Sequence, residues 1–382
     1  MLIDMHCHYT LTRRAPTSQP RFSFEPAGTP GPDARPNDYD SCVSDRALGR
    51  LGWRLARWWW RLPGPGPALD AWLEQEYARH LGAPGPIERC VLLAFDAVHA
   101  DDGTVPPLPR RRTDLGSDIY SSNSFIRGLC RRHPGRFLFG ASVHPYRADA
   151  EAALAEVFAG GACLVKWMPL HQNIDPDDPR TRRALACCAR LGLPVLLHYG
   201  PEFTLTTQRP AFAALGPLLA GLAELRRAGD MPVTIIAHAA TPVTPWGSRD
   251  GYRRLLAALA GEFAAAPLYA DVSALVTLGK AGFLRALLRR PDLHHKLLFG
   301  SDFPVPPSLV RLRPVLGGAY RAVAAEPAWP QRAARACRAA GLSEIVLQRA
   351  GALLPNVDYF ARGAAPESPA PRAAPPGPAT PR

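Results

Sequence analysis

The chain has 382 residues, with 45 Lys+Arg against 33 Asp+Glu, a formal net charge of +12, and 47% hydrophobic residues. That balance excludes collagen-like, wholly disordered and disulfide-scaffold proteins, and it provides enough apolar material for a sizeable core. The positive charge is nearly all arginine, since lysine occurs only at Lys166, Lys280 and Lys296.

Arginine, alanine and proline are abundant together, the mark of GC-rich coding. The charge therefore reads as a scattered, solvated surface. A nucleic-acid groove would come with interleaved aromatics or a recognisable module. A non-catalytic basic binding protein is thus the remote reading. The eight cysteines form no CxxC pair and no zinc-ribbon spacing, and several sit in apolar runs where Cys acts as a small hydrophobe. The first residues, MLIDMHCHYT, are not a signal peptide, and no apolar run reaches the roughly 18 residues of a membrane span. A cytoplasmic protein is expected.

In chain order, residues 1–5 form an apolar run that leads into His6-Cys7-His8. Residues 9–87 are too long for a strand-to-helix loop. They are rich in Pro and Gly at 26–36 and 63–67, carry helical runs at 46–61 and 67–80, and read as an inserted lid. Within them Trp53, Trp58, Trp59 and Trp60 stand among arginines. Successive tryptophans point around a helix, so they read as packing on the barrel or at a contact in a homodimer rather than as a membrane anchor. Further strand-like runs follow at 90–95, 137–143, 163–167, 194–197, 232–237, 268–272 and 296–299. Helices are predicted at 148–159, 179–191, 211–228, 252–265, 282–290, 330–340 and 343–354. Continuous apolar strands alternating with helices predict an α/β fold, a (β/α)8 TIM barrel spanning 1–360 with the lid inserted after the first strand. A doubly wound sheet would want a Gly-rich turn after the first strand, where this chain has His-Cys-His. Residues 361–382 are almost wholly Ala, Pro, Gly, Ser, Thr and Arg and read as a disordered tail.

Strand ends of a parallel barrel converge on one face. Here they carry His6, His8, His144, Lys166, His198, His238, Asp271 and Asp302. His6 and His8 are two apart on a strand, so alternation points both inward, where paired imidazoles suit a metal. The same alternation puts Asp4 on their face as an orienting partner. His198 and His238 are each the first polar residue after a buried run and read as ligands or substrate contacts. Asp302 adjoins the first strand in a closed barrel and reads as ligand or general base. Lys166 is open to three readings: a bridging metal ligand, a partner for an anionic substrate, or a rim salt bridge. Trp167, His171 and His144 are candidate substrate contacts.

With DMHCH, SVHPY, VKWMPLHQNIDP, LPVLLHYG, IIAHAA and FGSDFPVP, the chain resembles the amidohydrolase superfamily over roughly residues 1–10 and 88–355. The likeness is to the amidohydrolase-related branch, which contains predicted metal-dependent hydrolases and non-oxidative decarboxylases related to aminocarboxymuconate semialdehyde decarboxylase. It implies one divalent metal, with zinc the leading choice, or two. The ligands would come from His6, His8, His198 and Asp302, with Lys166 and His238 as further candidates. Asp302 and His238 would be catalytic, and a small molecule would be hydrolysed at an amide, lactone or ester carbon. Decarboxylation of a small aromatic or enoic acid is the alternative. Ala239-Ala240-Thr241-Pro242 stands where the decarboxylases tend to have a Gly-rich turn, which favours hydrolysis.

Overall fold

The computed structural model describes residues 1–14, 33–200, 205–244 and 246–362. Residues 26–32 of the Pro/Gly-rich stretch and 363–382 of the expected tail lie outside the described residues, as do the side chains of Trp59 and Trp60.

Eight parallel strands form one sheet in chain order: β1 (Ile3–His8), β2 (Arg89–Leu93), β3 (Phe137–Ala141), β4 (Ala162–Trp167), β5 (Val195–Leu197), β6 (Thr234–Ile236), β7 (Leu268–Asp271) and β8 (Leu297–Leu298). The sheet curls until its ends meet. His8 N donates to Phe303 O at 2.7 Å and Asp302 N donates to His6 O at 2.9 Å, tying the segment after β8 to β1. Each strand is an apolar run buried on both faces, as parallel strands require. Ile3, Met5, Val91, Leu93, Leu164, Leu196 and Leu298 belong to one inner cluster, and a larger cluster lies between strands and helices.

The helices follow local signals. Pro179–Leu191 starts with Asp178 capping Arg180 N and a proline in its first turn, and it ends on Gly192 at φ 66°. Asn123–Arg132, capped by Ser122, is a helix that the apolar periodicity did not mark. Its run is short and interrupted by Gly128.

Between β1 and β2, Asp45–Leu48 and Leu51–Trp60 form two short helices. A small antiparallel sheet of Arg13–Arg14, Ser41–Val43 and Ile119–Ser121 recruits its last strand from beyond β2. Helix Pro67–Leu81 buries Leu69, Leu73, Tyr77 and Leu81 in the larger core cluster. Trp53 packs on Val43, Ala47 and Leu48 rather than on the barrel, while Trp58 is 74% exposed. All eight cysteines are buried and unpaired. No helix of the described residues is long and apolar enough to cross a membrane.

Candidate active site

The pairing of β1 with β2 shifts register between Asp4 and Cys7. Regular alternation would put Asp4, His6 and His8 on one face, but the bulge breaks it. Asp4 instead lies with Cys7 and Cys90, and Cys7 and Cys90 belong to the outer core. From there Asp4 Oδ1 accepts His6 N at 3.2 Å and Ser301 N at 2.8 Å, so it fixes the backbone of two strand ends and not an imidazole. Gly300 is required beside it. A Cβ there would stand 2.7 Å from His6 Cβ.

The imidazoles are oriented from β7. His6 Nδ1 is 2.8 Å from Asp271 Oδ2 and 3.0 Å from Ser273 Oγ. Ser273 Oγ is also 2.7 Å from His238 Nδ1, and it donates a very short bond to Asp271 Oδ1. Asp271 Oδ1 accepts His238 N at 2.7 Å. With their Nδ1 atoms so engaged, His6 and His238 turn Nε2 to Asp302, at 3.4 Å from Oδ1 and 3.8 Å from Oδ2. His8 Nε2 reaches the same Oδ1 at 3.1 Å.

The backbone is strained at these residues. His238, Ala239 and Ala240 have φ of 53°, 48° and 51°, and Asp302 has 63°. Such left-handed conformations cost roughly 1–2 kcal/mol per residue without glycine and collect at functional sites. Ala239 and Ala240 thus adopt the conformation that glycine takes most easily, so their identity does not by itself mark a different turn.

The electrostatics suit a cation. Burial holds His8 down to about 4 and His238 to about 3, against the pull of Asp302. Burial, and then the charges of His238 and Lys166, keep His198 well below its usual value. Those three imidazoles are neutral at pH 7, the form that binds a metal. Burial opposes ionisation of Asp302, but His238, His6 and the bond from His8 outweigh it and hold the carboxyl well below its usual range. His6, His238 and Asp302 each offer a ligand atom within 4.8 Å of the others. The buried His8 Nδ1 has no hydrogen-bond partner among the described residues. An ionised carboxylate, neutral imidazoles and a carboxylate behind one of them form a donor set that fits a divalent metal.

Lys166 is 1% exposed, which removes the rim reading, and its Nζ lies 3.2 Å from His6 Nε2. His198 stands edge-on to His238 at 5.0 Å between ring centres, with Nε2 3.1 Å from Gly200 O. His171 is one ring further out, 5.8 Å from His198, with Nδ1 2.9 Å from Thr206 O. Two candidates are not brought to the cluster. Trp167 follows inward-facing Lys166, so alternation turns it into the outer core, where its indole donates to Val143 O. His144 is fully buried, with Nε2 2.8 Å from Gln172 O and Nδ1 accepting Tyr146 N. The sequence alone gives Ser273 no candidate role and places Asp271 only at a strand end. A D-x-S pair there, two acceptor groups on one face, is the signal that marks them.

The cluster is buried, with the His8 side chain 18% exposed. Beyond Gly200 and Thr241, close after His198 and His238, a cleft of about 1220 Å³ opens, walled on the far side by Arg50 and Leu51.

The chain is therefore a parallel (β/α)8 barrel with a histidine-rich polar centre at the strand C-termini, where this fold carries its active sites. It belongs to the amidohydrolase family, whose model, described as Amidohydrolase, matches residues 3–315. It is an enzyme of that superfamily. A comparison with curated proteins returns no match. Similar solved structures include an uncharacterized TIM-barrel protein from Bordetella bronchiseptica (18% identity, TM-score 0.48, 92% of this chain and 99% of that one). A probable 2-pyrone-4,6-dicarboxylic acid hydrolase from Acinetobacter baumannii is another (15%, 0.47, 92% and 98%). So is the 5-carboxyvanillate decarboxylase from Sphingomonas paucimobilis (12%, 0.42, 90% and 99%).

Proposed function

We propose that the protein is a metal-dependent hydrolase that opens an amide, lactone or ester carbon of a small molecule. One observation carries this reading: the ligand atoms of His6, His238 and Asp302 lie within 4.8 Å of one another. His6, Asp302 and the imidazoles of His8, His198 and His238 would hold one divalent metal, with zinc the best match to nitrogen and carboxylate donors. When bound, such a metal lowers the pKa of water toward about 7 and polarises a carbonyl.

The chain's own groups do the rest. Asp302, ionised and only 9% exposed in its side chain, accepts the proton of the attacking water and passes it to the leaving group. His238 Nε2 faces the same point from the far side of Asp302 and, in the neutral ring, would offer its lone pair to the metal. Ser273 and Asp271 hold the rings, so neither has to reorganise during reaction. Lys166, against His6 Nε2, places a positive charge beside the centre.

Residues 9–87 act as the lid in this reading, a role supported by Arg50 and Leu51 on the cleft wall. The eight buried, unpaired cysteines suit a reducing cytoplasm. The test is a panel of lactones, esters and amides assayed with metal-loaded protein, chelator-treated protein and protein reloaded with zinc. Hydrolysis lost on chelation and restored by zinc supports the reading. Carbon dioxide release from an aromatic or enoic acid, with no water consumed, would replace it with decarboxylation.

A further inference from the structure

Residues 46–69 hold five arginines, Arg46, Arg50, Arg54, Arg57 and Arg61, with four tryptophans and no acid. The acids at either end of the stretch are engaged elsewhere. Asp45 pairs with Arg13 at 2.5 Å, and Asp70 Oδ1 accepts Thr12 Oγ1 at 2.6 Å. The helix Leu51–Trp60 is held to the body from one side: Trp53 packs on Val43, Ala47 and Leu48, and Leu62, just past the helix end, packs on the larger core. The other side of the helix looks outward. Leu51, Leu55 and Trp58, spaced i, i+4 and i+7, are 62%, 49% and 74% exposed, and Arg54 is exposed beside them.

This face borders the cleft that leads to the histidine cluster. Leu51 and Gly52 line the cleft, and so do Thr244 and Gly247. Trp246, between the last two, is 86% exposed. Arg249, Arg253 and Arg254 follow it and are exposed as well, with Asp250 3.8 Å from Arg253. Two of the segments that line the cleft thus hold large apolar side chains in water, among arginines. Exposed apolar surface of this kind marks a face that meets something else.

The partner has to bury leucine and tryptophan and neutralise arginine at once. A second copy seated on the same face would set Arg54 and its neighbours against the same arginines, with no acid from residues 46–69 to pair them. A bilayer with anionic headgroups meets both needs, with an interfacial layer for indole rings and aliphatic side chains and phosphates for the guanidinium groups.

We propose that the rim of the cleft, Leu51, Leu55 and Trp58 on one segment and Trp246 on the other, docks on an anionic lipid surface. The contact is peripheral, since the helix has 10 residues and lies in the headgroup layer rather than across the bilayer. The cleft then opens toward the membrane. This goes beyond the hydrolase reading and does not depend on it.

Flotation of the full chain tests this, with vesicles of phosphatidylcholine alone and of phosphatidylcholine with about 30% phosphatidylglycerol. The expected result is binding to the anionic vesicles about tenfold or more tighter than to the neutral ones, weakened by salt. The double variant Leu55→Ala with Trp58→Ala leaves the charge unchanged and should weaken binding about tenfold or more. Arg54→Gln should weaken it about fivefold. Brominated phosphatidylcholine in the anionic vesicles should quench the tryptophan emission of the parent and quench the double variant less. These substitutions alter exposed side chains, so melting temperatures should match the parent's. Absence of binding to the anionic vesicles overturns the proposal, and so does binding that neither variant changes, which would be adsorption through the diffuse charge of the chain. Equal binding to both vesicles overturns the choice of anionic lipid. A dimer in sedimentation equilibrium that the double variant dissociates, without vesicle binding, assigns the face to a second copy instead.

Discussion

Asp271 Oδ2 stands 2.8 Å from His6 Nδ1, joining two buried residues 265 positions apart across the closure of the barrel. The carboxylate fixes which imidazole nitrogen faces Asp302, and through Oδ1 it also holds the backbone of His238. Asp271→Asn keeps the shape but removes the charge behind the ring. Metal affinity should fall about 10–100-fold with the fold retained. Chelator competition against the parent protein measures this, and an unchanged dissociation constant would remove Asp271 from the account.

Asp302→Asn should lower kcat by about 10²–10⁴. The amide can still fill the space beside His8 but cannot accept the water's proton. Steady-state turnover on the best substrate of the panel checks this, and near-normal turnover would refute the proton-transfer role.

Gly300→Ala drives a Cβ to 2.7 Å from His6 Cβ and 3.2 Å from Ser273 Cβ. Overpacking of this kind costs about 1–3 kcal/mol. It should also spread the ligands and reduce bound metal. Gly318→Ala, with nothing within 4 Å of the new Cβ, is the control and should change stability by less than about 0.5 kcal/mol. Urea melts of both variants, with metal content beside them, give the comparison.

Acid should weaken the protein through histidines buried in the neutral form. Burial holds His171 down to about 4 and His144 well below 6.5. The unfolded chain binds those protons near the ordinary histidine value and the folded chain does not. The stabilisation is therefore complete above 6.5 and is lost as pH falls toward 4, by at most about 1.4 kcal/mol per pH unit for each ring. Replacing His144 by Gln should flatten the loss. Urea midpoints at about pH 7.5 and about pH 5 measure it, and an equal slope in the variant would show that His144 does not contribute.

The barrel was legible because buried parallel strands read as apolar runs that end on the first polar residue. His198 and His238 stand at such ends, and His6 and Asp302 lie where the first and last strands close. What was not legible came from backbone departures with no mark in the sequence. The bulge after Asp4 moves that carboxylate to the outer layer. The left-handed run His238–Ala240 contains no glycine to announce it. The strand at Ile119–Ser121 is too short, and too far from its partners in the chain, to show periodicity. Trp167 and His144 were drawn toward the site by position, whereas side-chain direction decided their place.

The proposed chemistry requires a divalent metal at the His6–His238–Asp302 cluster. Elemental analysis of the purified protein, beside the double variant His6→Ala with His8→Ala, tests this most directly. The predicted result is stoichiometric metal in the parent, and loss of metal and of activity in the double variant with its circular dichroism unchanged. A folded double variant that keeps stoichiometric metal would contradict the account.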